Sequence, residues 1–491
     1  MRAAVKYVAM NPNYALFLGA GAVITLLLAL QWFELALGLL ATIPFILLLR
    51  LSFQDGSLET RFLSVSYMAG QSLCWLIGFL GCVYIFPLID YSFVYLFSPV
   101  NGQPIEHSIV TMVLVNLTMW GSFIGSQLVF AFQRTNKKGP VFSALPGTLV
   151  HNSIRVTAII FIVFLFASYY GGALSARTLV GSRIPVDSIL YWITGPKVLS
   201  FLIFFFMGAY LRSPLFNLRN GGLLLILMVC MFLSGLTGGR GEMIRMVLFF
   251  LGGSLYSSIS IKKAAFLTMG LVPLVLALVL VVGAARGGSF TTDPFEQRIV
   301  KMWQAMTLTI VDQWKDRTQN LLRRIANDFA GQLVIDTVVE RQEFIGFRNF
   351  ERLTTMFIPK FIIGEKPSAD DGPERLRDDY GLQVTDFHSI PITFMADAFE
   401  RGGYWATFLG SFLLSFWLTL VGRILYQLKW PLLRAVLLIV FAYHCFNIQT
   451  YSVIGTIREV TYSFVRDAIL VGSVVFIIYL LSTKFFLSQK A

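Results

Sequence analysis

The sequence predicts an all-α polytopic membrane protein with about 12 transmembrane helices and a large external loop that contains amphipathic helices. Composition is the first reason: 56% of the 491 residues are hydrophobic and 13% are charged, whereas a soluble domain carries about 25% charged residues. The second reason is the recurrence of apolar stretches of about 17–25 residues, the length that crosses a bilayer. The third is one long, mixed-charge segment among otherwise short connections. These observations exclude a soluble enzyme and a disordered chain.

The predicted spans follow one another along the whole chain. They lie at residues 14–30, 33–49, 63–88, 109–131, 156–174, 198–211, 221–238, 243–260, 264–284, 404–422, 431–447 and 467–483. This pattern divides the chain into nine spans within residues 1–284, a loop at residues 285–403 and three spans within residues 404–491.

The distribution of cations predicts the orientation of these spans. With a cytoplasmic N-terminus, the cytoplasmic segments hold 17 Lys and Arg residues and the short external loops hold seven. Because Lys and Arg accumulate on the cytoplasmic side, this bias places both termini in the cytoplasm and the large loop outside. The net charge of +12 therefore reflects topology and does not indicate a nucleic-acid partner.

The large loop has the composition of a folded segment. It spans 119 residues and holds 18 of the 27 acidic and 15 of the 39 basic residues. Apolar residues recur at helical spacing in three stripes, which predicts amphipathic helices at the outer membrane surface or packed against the spans. The stripes are Ile299, Trp303, Met306 and Ile310; Leu322, Ile325, Phe329 and Leu333; and Phe350, Leu353 and Phe357.

Arginine predominates in the short external loops, where six of the seven cations are Arg. Arg240 lies in the stretch LTGGRGEMIRM and Arg286 lies in GAARGGSF, so both have glycine neighbours at the ends of predicted spans. Guanidinium groups bind phosphate oxygens bidentately, and glycine lets the backbone approach a ligand closely. We therefore predict an anion site that contains Arg240 and Arg286, with Arg245 as a further candidate. The alternative is ordinary interfacial arginine, with Glu242 and Arg245 paired at i,i+3.

Five chemically active side chains lie within sixteen residues at the end of the large loop: Asp386, His388, Asp397, Glu400 and Arg401. His388 can accept a proton near neutral pH, and Asp386 is close enough in sequence to orient it. If residues 390–402 are helical, Asp397 and Arg401 are i,i+4 neighbours. The alternative is a solvated loop with a charged helix cap. No second histidine and no HExxH spacing accompany His388, so we expect no metal site.

Several of these stretches resemble a known family, the bacterial oligosaccharide repeat-unit polymerases (Wzy-type), which are related to the O-antigen ligases. The resemblance rests on TGGRGE at the start of a span, on IPKFIIGEKP followed by His388 and Ser389, and on a segment that ends in ERGGYW before a late span. A large external loop in the second half extends it to nearly the whole chain. The H-x9-N-Y pattern of some members is absent, because Ala398 stands at the asparagine position.

The resemblance implies a GT-C-type glycosyltransferase of the bacterial inner membrane that uses neither a cofactor nor a metal. It would transfer a growing glycan from undecaprenyl diphosphate to the terminal sugar hydroxyl of a lipid-linked acceptor at the periplasmic face, and would release lipid diphosphate. Arginines can stabilise the charge on such a leaving group, and the acceptor hydroxyl needs a base. The diphosphate ligands would be Arg240, Arg286, Arg245 and Arg401, and the candidate bases His388, Asp386, Asp397 and Glu400. The implied partners are the two lipid-linked glycans, the bilayer and a chain-length regulator protein.

Three alternatives remain open at this point. An O-antigen ligase would differ only in its acceptor. A polysaccharide-lipid flippase or secondary transporter would show internal repeats and charges within spans, and the sequence shows no convincing repeat. A dolichyl-phosphate-type GT-C enzyme would need a catalytic acid in the first external loop, where Glu34 lacks the usual acidic neighbour. The polymerase interpretation is the one that the residues favour.

Overall fold

The computed structural model describes residues 23–25, 27, 32–81, 107–131, 142, 144–170, 198–236, 240–285, 295–309, 322, 325, 330–356, 358, 371–381 and 392–488. The regular structure in these ranges is helical throughout, with no strand. The α-helices are α1 Phe33–Gln54, α2 Leu58–Gln71, α3 Ser108–Ala131, α4 Gly147–Tyr170, α5 Val198–Ala209, α6 Leu218–Leu236, α7 Arg240–Ser254, α8 Ile261–Ala285, α9 Phe295–Thr309, α10 Ala330–Arg341, α11 Gly372–Asp378, α12 Phe394–Tyr426, α13 Pro431–Phe446, α14 Val453–Arg458 and α15 Phe464–Ser488. Helix α2 continues as a π-helix, Ser72–Phe79, and a second π-helix, Glu459–Ser463, joins α14 to α15.

Seven helical segments in the described part of the chain are long and apolar enough to cross a membrane. They are Phe33–Gln54, Leu58–Phe79, Ser108–Phe130, Leu218–Leu236, Ile261–Val282, Phe394–Tyr426 and Val453–Leu481. The all-helical, polytopic membrane class predicted from composition is therefore confirmed. Every predicted span from 33–49 onward overlaps a helix, whereas the span at 14–30 lies mainly outside the described residues. Because α5 and α7 have only 12 and 15 residues, the count of 12 crossings stays a prediction.

Polar contacts between helix termini define two ends of the bundle. At one end, the Ser108 hydroxyl at the start of α3 donates to Glu34 at the start of α1, at 2.7 Å. At the other end, Arg434 at the start of α13 pairs with Glu59 at the start of α2, at 3.0 Å. Helix α12 begins at the same end as α3, and α10 packs against both helices there. We call this the loop end, and the opposite side of the bundle the far end.

Glycine residues allow the central helices to approach closely. Helices α3 and α12 run parallel, with Gly121 and Gly125 of α3 against the main chain of Phe408 and Phe412, where a Cβ atom would collide with carbonyl oxygens. Lipid tails are as apolar as side chains, so tight packing at small residues is a main source of helix association in membranes. Gly253 of α7 meets the main chain of α5 in the same way. These close pairs fix the helices that carry the polar groups of the loop end.

Helix α12 is interrupted after two turns. The Thr393 side chain caps its start by accepting a hydrogen bond from the Ala396 amide. Gly402 and Gly403 then leave helical geometry, and Gly403 has a φ of +67°, which side-chain-bearing residues rarely adopt. The kink separates a first segment, residues 394–401, which carries Asp397, Glu400 and Arg401, from the apolar remainder of the helix.

The described part of the predicted loop contains α9, α10 and α11. In α9, Met302 and Ala305 are buried against the bundle, whereas Ile299 and Trp303 of the predicted apolar stripe are exposed. In α10, Val334 and Ile335 are fully buried.

Candidate functional site

The first polar group at the loop end is an ion-pair network that joins the described segments at 342–356 and 371–381 to the start of α12. We call it the loop clamp, and its members are Asp371, Arg375, Asp397, Glu400 and Arg401. Each side chain is less than 10% exposed. Buried charges of this kind are stable only when they are paired and hydrogen-bonded.

Arg375 on α11 lies at the centre of the clamp. Its Nη2 atom lies 2.7 Å from Asp397 Oδ1 and 3.1 Å from Glu400 Oε2, and its Nε atom lies 3.6 Å from Asp371 Oδ2. One guanidinium group therefore connects three carboxylates from two parts of the chain. Arginine suits this role because its charge is permanent and its donors point in several directions.

Arg401 completes the network from the last helical turn before the kink in α12. Its Nε atom pairs with Asp397 Oδ1 at 3.0 Å and its Nη2 atom with Asp371 Oδ2 at 3.3 Å. The i,i+4 relation between Asp397 and Arg401 that the sequence suggested is thereby confirmed. Its Nη1 atom donates to the carbonyl oxygens of Gly346 and Arg348, at 3.1 and 2.8 Å. Arg401 thus fixes the main chain of a turn as well as two carboxylates.

The electrostatics of the loop residues agree with this geometry. Burial raises the pKa of the Asp371 carboxyl, but the Arg375 guanidinium and the Asn349 amide lower it by more, so this pKa lies below its ordinary value. The Tyr380 hydroxyl donates to Glu400 Oε1 at 2.7 Å, and burial together with the Glu400 charge raises the pKa of Tyr380. Both groups hold the protonation state that the clamp requires at neutral pH.

Three predicted site residues are therefore members of the clamp. Asp397, Glu400 and Arg401 face one another and the loop. Asp397 also accepts a hydrogen bond from the Val453 amide, at 2.5 Å. The catalytic role of Asp397 and Glu400 stays a prediction.

Arg245 occupies a different environment at the same end of the bundle. It is half-buried on α7, and its guanidinium lies over the Tyr443 ring at 5.3 Å and near the Phe201 ring at 6.0 Å. None of the ion pairs in the described part of the chain involves Arg245, so the i,i+3 pair with Glu242 is not formed. The guanidinium also donates to the Tyr443 hydroxyl, and its remaining donors are available for an anion.

A histidine triad lies beside Arg245, and the sequence patterns did not single it out. His444 follows Tyr443 in the last turn of α13, with Nδ1 2.6 Å from Glu459 Oε1 and Nε2 2.6 Å from Asp467 Oδ2. Because both ring nitrogens face carboxylate oxygens, the imidazolium form satisfies both contacts. Asp467 Oδ1 also pairs with Arg466 Nε at 2.9 Å.

The triad fixes several elements relative to one another. It joins the end of α13 to the π-helix that carries Glu459 and to the first turn of α15. The Ser463 hydroxyl donates to Glu459 Oε2 at 2.8 Å within the same π-helix. Such π-turns occur often at functional sites in helical proteins. No motif predicted this group, because its members are spread over 24 residues and meet only through packing.

The remaining predicted site residues are only partly visible. Arg240 is the first residue of α7, but the structure describes only its main chain. Arg286, Asp386 and His388 lie outside the described residues, so their roles stay predictions. At Gly241 a Cβ atom would meet nothing within 4 Å, so the backbone at the start of α7 faces open space.

Asp336 on α10 is a further carboxyl that sequence reasoning missed. It accepts a hydrogen bond from Gln332 Nε2 at 2.7 Å, and Gln332 in turn accepts one from Thr111 at 2.5 Å. Burial raises the pKa of Asp336 to about 6, against the lowering effect of the Gln332 amide and of His107. This value suits a proton acceptor near neutral pH. Only tertiary packing produces it, since no local motif surrounds the residue.

Comparison with protein-family models, with curated proteins and with solved structures gave no match for this chain. Among the described residues, no group of three His, Cys, Asp or Glu side chains is arranged to bind a metal ion.

Proposed function

We propose that this protein is a membrane glycosyltransferase that polymerises lipid-diphosphate-linked oligosaccharide units. In this proposal the loop end faces the periplasm, and the donor and acceptor are glycans on undecaprenyl diphosphate. The growing glycan moves from its lipid diphosphate to a sugar hydroxyl of the acceptor, and the lipid diphosphate leaves. The resemblance of TGGRGE and the following stretches to repeat-unit polymerases is the sequence support for this assignment.

The environment of Arg245 is the structural observation that carries the proposal. A half-buried guanidinium near the end of a membrane bundle normally pairs with a carboxylate or marks a functional site. Arg245 instead contacts the Phe201 and Tyr443 rings and the Tyr443 hydroxyl, whereas the charged groups of the clamp and the triad are paired with one another. A diphosphate would supply the missing negative charge through bidentate hydrogen bonds.

The start of α7 adds to the attraction for an anion. The first amide groups of a helix have no intrahelical partners, and the helix dipole favours negative charge there. Arg240 opens this helix, Gly241 leaves its backbone accessible, and Arg245 follows within the second turn. In the proposed site Arg240 and Arg245 bind the donor diphosphate from one helix, and Arg286 contributes from the end of the next.

The proposed base for the acceptor hydroxyl is His388, with Asp386 as its orienting carboxylate. Asp336 is an alternative base within the part of the chain that the structure describes, because its pKa of about 6 lies near the working range of a general base. The loop clamp has a supporting role in this proposal. It holds the described segments at 342–356 and 371–381 against the start of α12, and the stretch that carries Asp386 and His388 connects the second segment to α12.

Replacement of Arg245 tests the proposed anion site. In purified protein in nanodiscs, Arg245→Ala should weaken undecaprenyl diphosphate binding and slow elongation of a lipid-linked repeat unit roughly ten- to hundredfold, as expected for the loss of one charge-assisted contact. Arg245→Lys should recover part of the loss, because it keeps the charge without the fork. The same size of effect is expected for Arg240→Ala and Arg286→Ala.

Arg219 provides a matched control at the far end. It is also half-buried and lies over an aromatic ring, that of Tyr210, at 4.7 Å. Arg219→Ala should leave both binding and elongation unchanged. Normal elongation in Arg245→Ala at normal expression, or an equal loss in Arg219→Ala, would contradict the proposed site.

The histidine triad favours a second candidate function, a flippase or secondary transporter for a lipid-linked glycan. Glu459 and Asp467 lie in the helical segment Val453–Leu481, which is long and apolar enough to cross a membrane, and His444 lies in the shorter apolar helix Pro431–Phe446. Chains of Asp, Glu and His side chains inside the membrane relay protons in transporters. Reconstituted liposomes separate the candidates. Movement of the lipid-linked unit between leaflets driven by a pH gradient, without elongation, would favour the transporter. Elongation without a gradient supports the polymerase, and transfer only to a lipid A-type acceptor would indicate the ligase.

A further inference from the structure

An exposed aromatic turn lies beside the kink of α12. Phe347 is 83% exposed and Phe344 is 56% exposed, although both are large apolar side chains at the end of a membrane bundle. The Phe344 ring packs at the kink, where a Cβ atom on Gly403 would lie 3.1 Å from it. The neighbouring Trp405, the second residue after the kink, is 81% exposed. We call Phe344, Phe347 and Trp405 the aromatic patch.

The turn that carries the patch is held rigidly. The Ile345 amide donates to the Glu400 carbonyl oxygen at 3.0 Å. Arg401 binds the carbonyl oxygens of Gly346 and Arg348. Left-handed backbone at Gly346 and Asn349 turns the chain sharply. The exposed rings are therefore presented by a fixed scaffold, so their exposure is a built feature of the turn.

The patch is continuous with the surface that faces lipid. From Trp405, every fourth residue along α12 is exposed and apolar: Leu409, Leu413 and Trp417. The opposite side of the helix is buried against the bundle at Thr407, Ser411 and Leu414. This division is the one expected for a helix with one face on protein and one on acyl chains.

The length of α12 gives the depth of the patch. From Trp405 to Tyr426 the helix rises about 32 Å at 1.5 Å per residue, close to the roughly 30 Å of a hydrocarbon core. Tyr426 and Trp430 are exposed at the far end of this stretch. Aromatic residues at both ends of a span mark the two membrane interfaces. Trp405 therefore lies at one hydrocarbon boundary, and the Phe344 ring, which packs at Gly403, lies close to the same level.

We propose that the aromatic patch inserts Phe344 and Phe347 into the lipid interface of the leaflet at the loop end. The segment at 342–349 is then a membrane anchor that fixes the height of the loop clamp above the acyl chains. Arg341 and Arg348 are exposed on either side of the rings, as is Glu343 beside Phe344, and in this proposal the two guanidinium groups reach the lipid phosphates. Arg348 also holds Asp379 through two hydrogen bonds of 3.1 Å, which ties the anchor to the end of α11.

Site-specific photocrosslinking tests the anchor with a substitution at a single position of the full chain. Benzoylphenylalanine replaces Phe347 in the full chain, which is then irradiated in nanodiscs that contain only phospholipid. Leu409→benzoylphenylalanine is the positive control on the lipid face, and Arg377→benzoylphenylalanine is the control on the polar side of the same loop, where the side chain is 52% exposed. Mass spectrometry should find phospholipid adducts at 347 and 409 and none at 377.

Other outcomes overturn the proposal. A cross-link from 347 to a second copy of the chain would show that the patch is a protein interface. Absence of any adduct at 347 when 409 reacts would show that the turn stands in water. If the variant at 347 does not fold, the same comparison is made at Phe344, whose exposed ring belongs to the same turn. The experiment contains no lipid-linked glycan, so its result does not depend on the proposed enzymatic activity.

Discussion

The loop clamp and the histidine triad both bury carboxylates at the loop end, but they leave different groups available. In the clamp, two guanidinium groups and three carboxylates pair with one another and with the main chain of the loop. Beside the triad, Arg245 lies over aromatic rings and donates to the Tyr443 hydroxyl, and none of the ion pairs among the described residues involves it. The clamp is consequently an architectural element that attaches a loop to a helix. The triad region contains the Arg245 guanidinium group, which forms no ion pair among the described residues, and an anion site requires such a group.

Loss of Arg375 should have the largest effect on the clamp. Arg375→Met leaves Asp371, Asp397 and Glu400 with a single guanidinium, and breaking such a buried pair costs about 3–5 kcal/mol. Thermal unfolding in detergent should show a clearly lowered midpoint. Arg377→Met is the control, since its pair with Asp378 is half-exposed on both sides and contributes roughly 0–1 kcal/mol. Equal midpoints for the two variants would show that the clamp does not stabilise the fold.

Loss of His444 should have the next largest effect and should be recoverable. His444→Gln removes the cation between Glu459 and Asp467 and leaves them with Arg458 near Glu459 and Arg466 against Asp467, which we expect to cost about 2–3 kcal/mol. The double variant His444→Gln, Glu459→Gln restores the charge balance and should regain most of the stability. Midpoints of thermal unfolding for the single and double variants make the comparison. A double variant no more stable than the single one would mean that shape, and not charge, holds the triad together.

The smallest predicted effect concerns Asp336, whose neighbour is a neutral amide and not a guanidinium group. Its pKa is about 6 in the folded protein and about 3.9 in an unfolded chain. The folded state therefore prefers the protonated form, so the stability that Asp336 contributes is present below pH 4 and is lost as the pH rises through 6. Solvent screening at this half-buried site reduces the effect to about 1 kcal/mol.

Asp336→Asn should remove this loss. The variant keeps an oxygen that accepts from Gln332 and should unfold at a slightly higher temperature than the wild type at pH 7.5, with no difference near pH 4. A wild type whose midpoint does not fall between pH 4 and pH 6 relative to the variant would contradict the raised pKa.

Residue patterns along the chain anticipated part of the loop end. The i,i+4 pair of Asp397 and Arg401 followed from helical spacing, because both residues belong to one short helical segment. The partners Asp371, just before α11, and Arg375, within it, could not be foreseen, since at least 22 residues separate them from Asp397 and no periodicity relates the two segments. The same reason explains why Asp397 and Glu400 looked like available bases. A sequence shows which residues can ionise, but it does not show which cation will neutralise them.

The sequence alone determined the class of this protein, because burial in a bilayer imposes long apolar segments whose length and composition are readable without any knowledge of packing. Only the tertiary structure decided which charged side chains form ion pairs and which do not. His444 is the centre of a triad because packing places Glu459 and Asp467 next to it. Arg245 lies on aromatic rings because packing places no described carboxylate within ion-pair distance of it. Ion pairing depends on distances of a few ångströms between such helices, and those distances are set by packing.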